Sequence, residues 1–188
     1  MRQIEHMHAT IVTTDEELQQ IVALSALNHR DNVTASEKAK EGFISWQYSF
    51  DLLHKMQQQQ PHIIVKDGEH LAGYALTALK EAKVFHADLT AMINSLETLM
   101  YNNKPLADYN YYVMGQVCVD KAYRGKGVFD MLYQHHKKIF KDKFDFVVTE
   151  ISTNNLRSIR AHEKVGFKTI YTYKDSVDEW DVVLWDWE

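Results

Sequence analysis

The sequence predicts an α/β fold, a mixed sheet with helices on both faces, and three observations carry that prediction. Apolar runs of strand length alternate along the chain with segments whose apolar residues recur at helical spacing. The stretch Val117–Phe129 closes an apolar run with a charged turn, opens the backbone with two glycines and enters a helical pattern at once. The run from Tyr111 through that helix to Phe144 is a strand–helix–strand unit, with a crossover length that suits parallel neighbours and a right-handed connection. Hairpins on either side add antiparallel strands.

In order, Met7 to Val12 reads as a strand, and Thr14 with Glu17 forms a capping box ahead of a helix carrying Leu18, Ile21, Val22 and Leu24. Asn28 to Gln47 is mixed, with a short helix near Ser36 to Glu41. A further helix starts after Ser49, carries Leu52, Leu53 and Met56, ends at Pro61, and has Gln57 to Gln60 as its exposed end. His62 to Lys66 and Leu71 to Leu79 are strands joined through Asp67-Gly68-Glu69, a hairpin signal. Asp88 to Asn102 reads as helical, with Leu89, Ile93 and Leu96 on one side. Tyr111 to Val119 is a strand, and the helix after the glycines carries Met131, Leu132, His135, Ile139 and Phe140. Phe144 to Ile151, Phe167 to Lys174 and Trp180 to Trp187 are strands, with a helix over Asn155 to Val165. No repeat or linker divides the 188 residues, so residues 1–188 are expected to form a single domain.

With 26 acidic and 21 basic residues the formal charge is −5, which argues against general nucleic-acid binding. One cysteine, Cys118, excludes an internal disulfide framework and fits a reducing compartment. No apolar stretch is long enough to span a bilayer, and Met1–His6 lacks the apolar core of a secretory signal, so the expected location is cytoplasmic, with no membrane partner. His135 and His136 are adjacent on a helix and point to different faces. His6 and His8 lack companion ligands, so no metal is expected.

A strand, a loop and a helix N-terminus in succession aim free backbone N–H groups and the positive end of a helix dipole at one point, which suits a phosphate. A P-loop reading fails because Gly125-Lys126 is followed by Gly127, not Ser or Thr. A dinucleotide fingerprint wants three glycines directly after the first strand of a sheet; two occur here, late in the chain. Alone, Gly125 and Gly127 also suit a tight strand-to-helix turn with no ligand.

Arg124-Gly125-Lys126-Gly127-Val128 resembles the pyrophosphate loop of the GNAT (GCN5-related N-acetyltransferase) superfamily, Arg/Gln-x-x-Gly-x-Gly/Ala. Asn155 to Phe167, in which an Asn opens a helix that closes on Lys164-Val165-Gly166-Phe167, resembles that family's second signature. The resemblance covers about residues 113–174, the acyl-CoA-binding half, and departs at Phe129, where the family has Gly or Ala. It implies a GNAT-like sheet with splayed parallel central strands and transfer of an acetyl group from acetyl-CoA to an amine by direct attack. The alternative it leaves is a non-catalytic acyl-CoA-binding or sensing module. Val117, Cys118 and Val119 are then expected along the pantetheine arm, and Arg124, Gly125, Lys126, Gly127, Val128 and Phe129 around the pyrophosphate. Asn155 would serve both as helix cap and as a pantetheine contact.

The resemblance also places His162 where many members carry the Tyr that protonates the leaving thiolate; the other reading is a histidine that packs or hydrogen-bonds. Glu150, near a strand end, reads either as a proton acceptor through water or as a solvated carboxylate. Cys118 reads as a small buried strand residue before it reads as a nucleophile. The acceptor is expected to be a small-molecule amine or an amino-terminal group, held near Asn28 to Gln47 with Phe43, Trp46 and Tyr48 at hand. The resemblance makes residues 80–110 an insertion between two central strands, which members commonly join by a short turn, and it also implies a homodimer.

Overall fold

The computed structural model describes residues 7–188, so the reading of His6 and of the first residues lies outside the described part. The main sheet has the order β1-β2-β3-β6-β7-β9-β8. Its strands are β1 (Met7–Ile11), β2 (Ile63–Asp67), β3 (His70–Leu79), β6 (Tyr111–Val119), β7 (Phe146–Ser152), β8 (Lys168–Lys174) and β9 (Glu179–Trp185). The pairing of β6 with β7 is parallel; every other pair is antiparallel. One face is covered by α1 (Asp15–Asn28), α3 (Phe50–Gln59) and α4 (Ala87–Glu97), the other by α5 (Val128–Phe140) and α6 (Leu156–Val165), and the short α2 (Ala35–Glu41) packs against α6.

The period-2 strand pattern divides the side chains between the two faces. On β7, Phe146 and Val148 enter the core under α1, α3 and α4, while Val147 and Ile151 enter the core under α5. The Thr14 capping box forms as the sequence predicts, and Glu17 also receives the Lys66 ammonium at 2.9 Å, tying α1 to β2.

Three local readings change. The helix expected to reach Asn102 stops at Glu97, and Met100–Tyr101 pairs with Lys104–Pro105 as a two-stranded ribbon, β4 and β5. Its turn is Asn102-Asn103, both at positive φ (47° and 62°), a conformation asparagine tolerates and a helix cannot include. The stripe Leu89, Ile93 and Leu96 is fully buried in the main core, which is ordinary packing. Gln57 is no solvated tail: its Nε2 donates to Val12 O at 2.7 Å and its Oε1 accepts from His62 N–H at 2.8 Å. On α5 the inward histidine is His136, fully buried against Tyr112, and not His135. The terminal aromatic run is a covered strand, β9, held between β7 and β8, so the sheet ends at β8.

Candidate active site

The central strands part. β6 and β7 pair only over Tyr111↔Phe146, Tyr112↔Val147 and Val113↔Val148, and the Thr149 hydroxyl then donates to Met114 O at 2.8 Å. Against β3, β6 carries one extra residue: Ala75 faces Val117 while Thr77 faces Met114. That bulge falls at Gly115-Gln116 and turns the end of β6 away from β7. Gly115 is required there by close approach, because a Cβ would lie 2.6 Å from the Tyr48 hydroxyl, which donates to Gly115 O at 3.2 Å. Gln116 is held by the Tyr74 hydroxyl at 2.6 Å and by its own donation to Trp46 O at 2.5 Å.

The gap opens into a cleft of about 730 Å³. Val117, Cys118 and Val119 form one wall and α6 the other, with Phe43 and Ile44 also bordering it. At one end lies the strand-to-helix loop. Asp120 accepts from Ala122 N–H at 2.8 Å and sets its first turn, and Gly125 and Gly127 follow at φ 73° and 82°. Neither glycine has a neighbour within 4 Å of where a Cβ would lie, so backbone conformation, not space, calls for glycine. Gly127 is the N-cap of α5 and no side chain caps that helix, which leaves its first-turn N–H groups and dipole for an anion.

Arg124, Gly125, Gly127, Val128 and Phe129 all border the cleft. The Arg124 guanidinium donates to Val119 O (3.2 Å) and to Asn28 Oδ1 (2.7 Å), fastening the loop to β6 and α1. Lys126 is not among the bordering residues; its ammonium stands 5.1 Å from the Tyr123 ring centroid. Phe129 packs its ring against Tyr133 (4.9 Å) and edge-on to His162 (5.1 Å), so the bulky residue at the expected Gly/Ala position fills the core beside the loop. Asn155 caps α6 by accepting from Ser158 N–H at 3.3 Å, borders the cleft, and donates to Phe43 O at 3.1 Å, which ties α6 to the N-terminal half.

His162 is not brought to the cleft. It is 2 % exposed, its Nε2 stands 2.6 Å from the Tyr133 hydroxyl, and its Nδ1 lies 2.8 Å from Ser158 O. A Tyr133 O–H donating to Nε2 leaves the proton on Nδ1 for Ser158 O, a neutral, fully partnered ring. Burial lowers its pKa to about 4. Cys118 borders the cleft, but burial pushes its thiol up to about 12, far from a thiolate at neutral pH. Glu150 is not a solvated strand end. Two residues beyond the last β6–β7 pair, its Oε1 is buried with no hydrogen-bond partner among the described residues, and Tyr173 hydrogen-bonds the carboxylate. Burial raises its pKa to about 7.

Sequence reading gave no site role to Arg157, Arg160 and Lys164 of α6, all of which border the cleft. Their spacing was legible, but on a helix read for its terminal signature they pass for a solvated face. Among the described residues no group of three or more His, Cys, Asp or Glu side chains is arranged to hold a metal, and no helix is long and apolar enough to cross a membrane.

Residues 29–167 match the model of the acetyltransferase (GNAT) family. No curated protein sequence matches the chain. Among solved structures, the ribosomal-protein-S18-alanine N-acetyltransferase from Escherichia coli superposes with a TM-score of 0.59 at 12% identity, covering 95% of this chain and 90% of its own. An N-acetyltransferase from Staphylococcus aureus Mu50 gives 0.60 at 18% identity, with 96% and 99% covered. The Salmonella typhimurium protein yncA, solved with its cofactor acetyl-CoA, gives 0.61 at 16% identity, with 97% and 94% covered. At these identities the three share the fold with this chain.

Proposed function

The chain belongs to the acetyltransferase (GNAT) family, and from that premise we propose that it transfers an acetyl group from acetyl-CoA to an amine by direct attack. The observation that carries the proposal is the wedge itself. β6 and β7 separate after Val113 and Val148, and an uncapped helix N-terminus faces the opening. The N–H groups of Gly125 to Phe129 hold the pyrophosphate, and the free backbone edge of Val117 to Val119 receives the pantetheine amides. A strand N–H on that edge polarises the thioester carbonyl.

The amine enters from the α1 side of the sheet, the face that Glu150 shares with Val148 and Ser152. Its nitrogen bonds to the carbonyl carbon, the C–S bond breaks, and Glu150 takes the nitrogen's proton, directly or through one water. A carboxylate with a pKa near 7 is matched to that work at neutral pH. The sulfur leaves as a thiolate, an acceptable leaving group because thiols ionise near pH ~8.5, and takes its proton from water in the open cleft. His162, neutral and buried, supports α5 against α6 through Tyr133. Cys118 stays a thiol and carries no acyl group. The acceptor is a small-molecule amine or the amino terminus of a polypeptide.

The buried His162 at the position of the expected acid also keeps a sensing role in play, and one assay separates the two. Acetyl-CoA is incubated with a panel of small amines and short peptides, and free thiol is followed. Thiol release that depends on an amine is the expected result. Acetyl-CoA binding with no turnover across the panel would replace the enzyme with an acyl-CoA sensor, and absence of binding would remove both.

A further inference from the structure

The bulge in β6 decides which of its N–H groups face the cleft. Neighbouring residues of a strand direct their N–H and C=O groups to opposite edges. Met114 O faces β7, where the Thr149 hydroxyl donates to it. Asp120 N–H donates to Ala72 O at 3.0 Å, so Asp120 faces β3, while Val119 and Val117 turn their backbone groups the other way, into the cleft. Regular alternation from Met114 would have given that edge to Gln116 and Cys118. The extra residue at Gly115-Gln116 reverses it, and Val117 becomes the first residue of β6 to border the cleft.

A bulge lacks the ladder that fixes an ordinary strand residue, and Gly115 has no side chain with which to anchor it. The segment Trp46–Tyr48 holds it instead. The Tyr48 hydroxyl donates to Gly115 O at 3.2 Å, and Gln116 Nε2 donates to Trp46 O at 2.5 Å. Gln116 Oε1 accepts from the Tyr74 hydroxyl at 2.6 Å, so both ends of its amide are engaged. Tyr48 and Tyr74 are buried, and the Tyr48 ring lies edge-on to Trp46 with centroids 4.3 Å apart. These hydrogen bonds set the peptide planes that lead into Val117. An N–H that polarises a carbonyl must be held within about 0.5 Å and roughly 10–20° of its aim. We propose, building on the reading of the cleft as an acetyl-CoA site, that Tyr48 and Gln116 are positioning residues, which clamp the bulge and so aim the Val117 N–H at the thioester carbonyl. They act through the backbone. Loss of the clamp therefore lowers turnover and leaves donor affinity, set at the glycine loop, nearly as it was.

Tyr48→Phe removes one hydroxyl and keeps the ring. Gln116→Met/Tyr74→Phe removes the other half of the clamp without stranding a buried hydroxyl. Each variant is compared with the wild type by calorimetric titration with acetyl-CoA and by turnover on the panel amine that the wild type acetylates fastest. The infrared carbonyl stretch of bound acetyl-CoA, labelled with ¹³C at the carbonyl, is recorded without amine. In the wild type the bound carbonyl should absorb at lower frequency than in free acetyl-CoA, because a hydrogen bond polarises it. In each variant the band should return toward its free position and the dissociation constant should stay close to the wild-type value. The kcat should fall by about tenfold, short of the roughly 10²–10³ for deleting an oxyanion donor outright. A band that keeps its wild-type position in both variants would overturn the proposal, because a merely structural clamp lowers the melting temperature and leaves the band in place. A loss of affinity that accounts for the whole fall in rate would overturn it too. Should either variant fail to fold, Gln116→Glu, which keeps the Tyr74 bond and loses the donation to Trp46 O, takes its place under the same criterion. A wild-type band at the free position removes the polarising N–H, and the clamp's role with it, while donor binding stands. Wild-type protein that binds no acetyl-CoA overturns the donor assignment itself, and this inference with it.

Discussion

Glu150 holds a carboxylate with one oxygen out of water and without a hydrogen-bond partner among the described residues, while Tyr173 hydrogen-bonds the carboxylate. Glu150→Gln should therefore lower turnover by about 10²–10⁴, and the rise of kcat/KM through pH about 7 in the wild type should vanish. The same substitution should stabilise the fold. A carboxyl whose folded pKa of about 7 exceeds its ordinary value of 4.5 binds its proton more tightly when folded, so stability declines as pH climbs between those values. At pH 8 the glutamine variant should melt above the wild type while turning over more slowly; a variant both slower and less stable would mean a structural role. His162→Phe makes the opposite case. It leaves the buried Tyr133 hydroxyl unpartnered, at a cost of about 1–3 kcal/mol, with turnover per folded molecule little changed, and Tyr133→Phe in addition should recover part of the loss. The loop glycines and Asn155 were legible because backbone conformation and capping are local demands. The fates of His162 and Glu150 were not, because which way a side chain packs depends on partners such as Tyr133 and Tyr173, which lie 29 and 23 positions away in sequence.

At the scale of elements, the donor site is the join between β6 and α5. Gly127 sits at φ 82° with open space where a Cβ would go, so Gly127→Ala tests backbone geometry without a clash. The strain, about 1–2 kcal/mol, should relax by rotating the first-turn amides, and acetyl-CoA affinity should fall by about tenfold while the melting temperature drops only a few degrees. Unchanged affinity would detach the loop from the donor. Gly73→Ala would act differently, since its Cβ meets Cys118 O and Val128 Cγ1, each at 2.9 Å, and so pushes β3 from β6 and α5. Periodicity revealed the long strands and helices of this sheet, because each has one face to bury. It missed the ribbon at Met100–Pro105, whose two-residue strands are too short to show a period, and it could not show the bulge at Gly115-Gln116, which is a relation between two strands.

At the scale of the whole molecule, three histidines among the described residues are buried and neutral, one in each of three separate joins. His62 accepts from Thr77 N–H at 3.1 Å and lies 3.1 Å from Leu53 O between α3 and β3; His136 meets the Tyr112 hydroxyl between α5 and β6; His162 meets Tyr133 between α6 and α5. Burial lowers their pKa values to about 4, 3 and 4, from 6.5. The unfolded chain takes up these protons near pH 6.5 and the folded protein does not, so their contribution is complete above that pH and is lost as pH falls toward 4. Glu150 works against them, since the folded protein gains its proton in the same window. Between pH about 4.5 and 6.5 three protons favour the unfolded chain and one the folded, a net slope of roughly 3 kcal/mol per pH unit. Below that range Glu17 and Asp178, whose pKa values are lowered, add to the loss. A fold of ordinary stability, about 5–15 kcal/mol, should thus unfold cooperatively on mild acidification. Urea titrations at pH 7.5, 6 and 5 measure the slope. Glu150→Gln removes the opposing proton and should steepen it to roughly 4 kcal/mol per unit, whereas a stability independent of pH over that range would mean that the three rings are hydrated in solution.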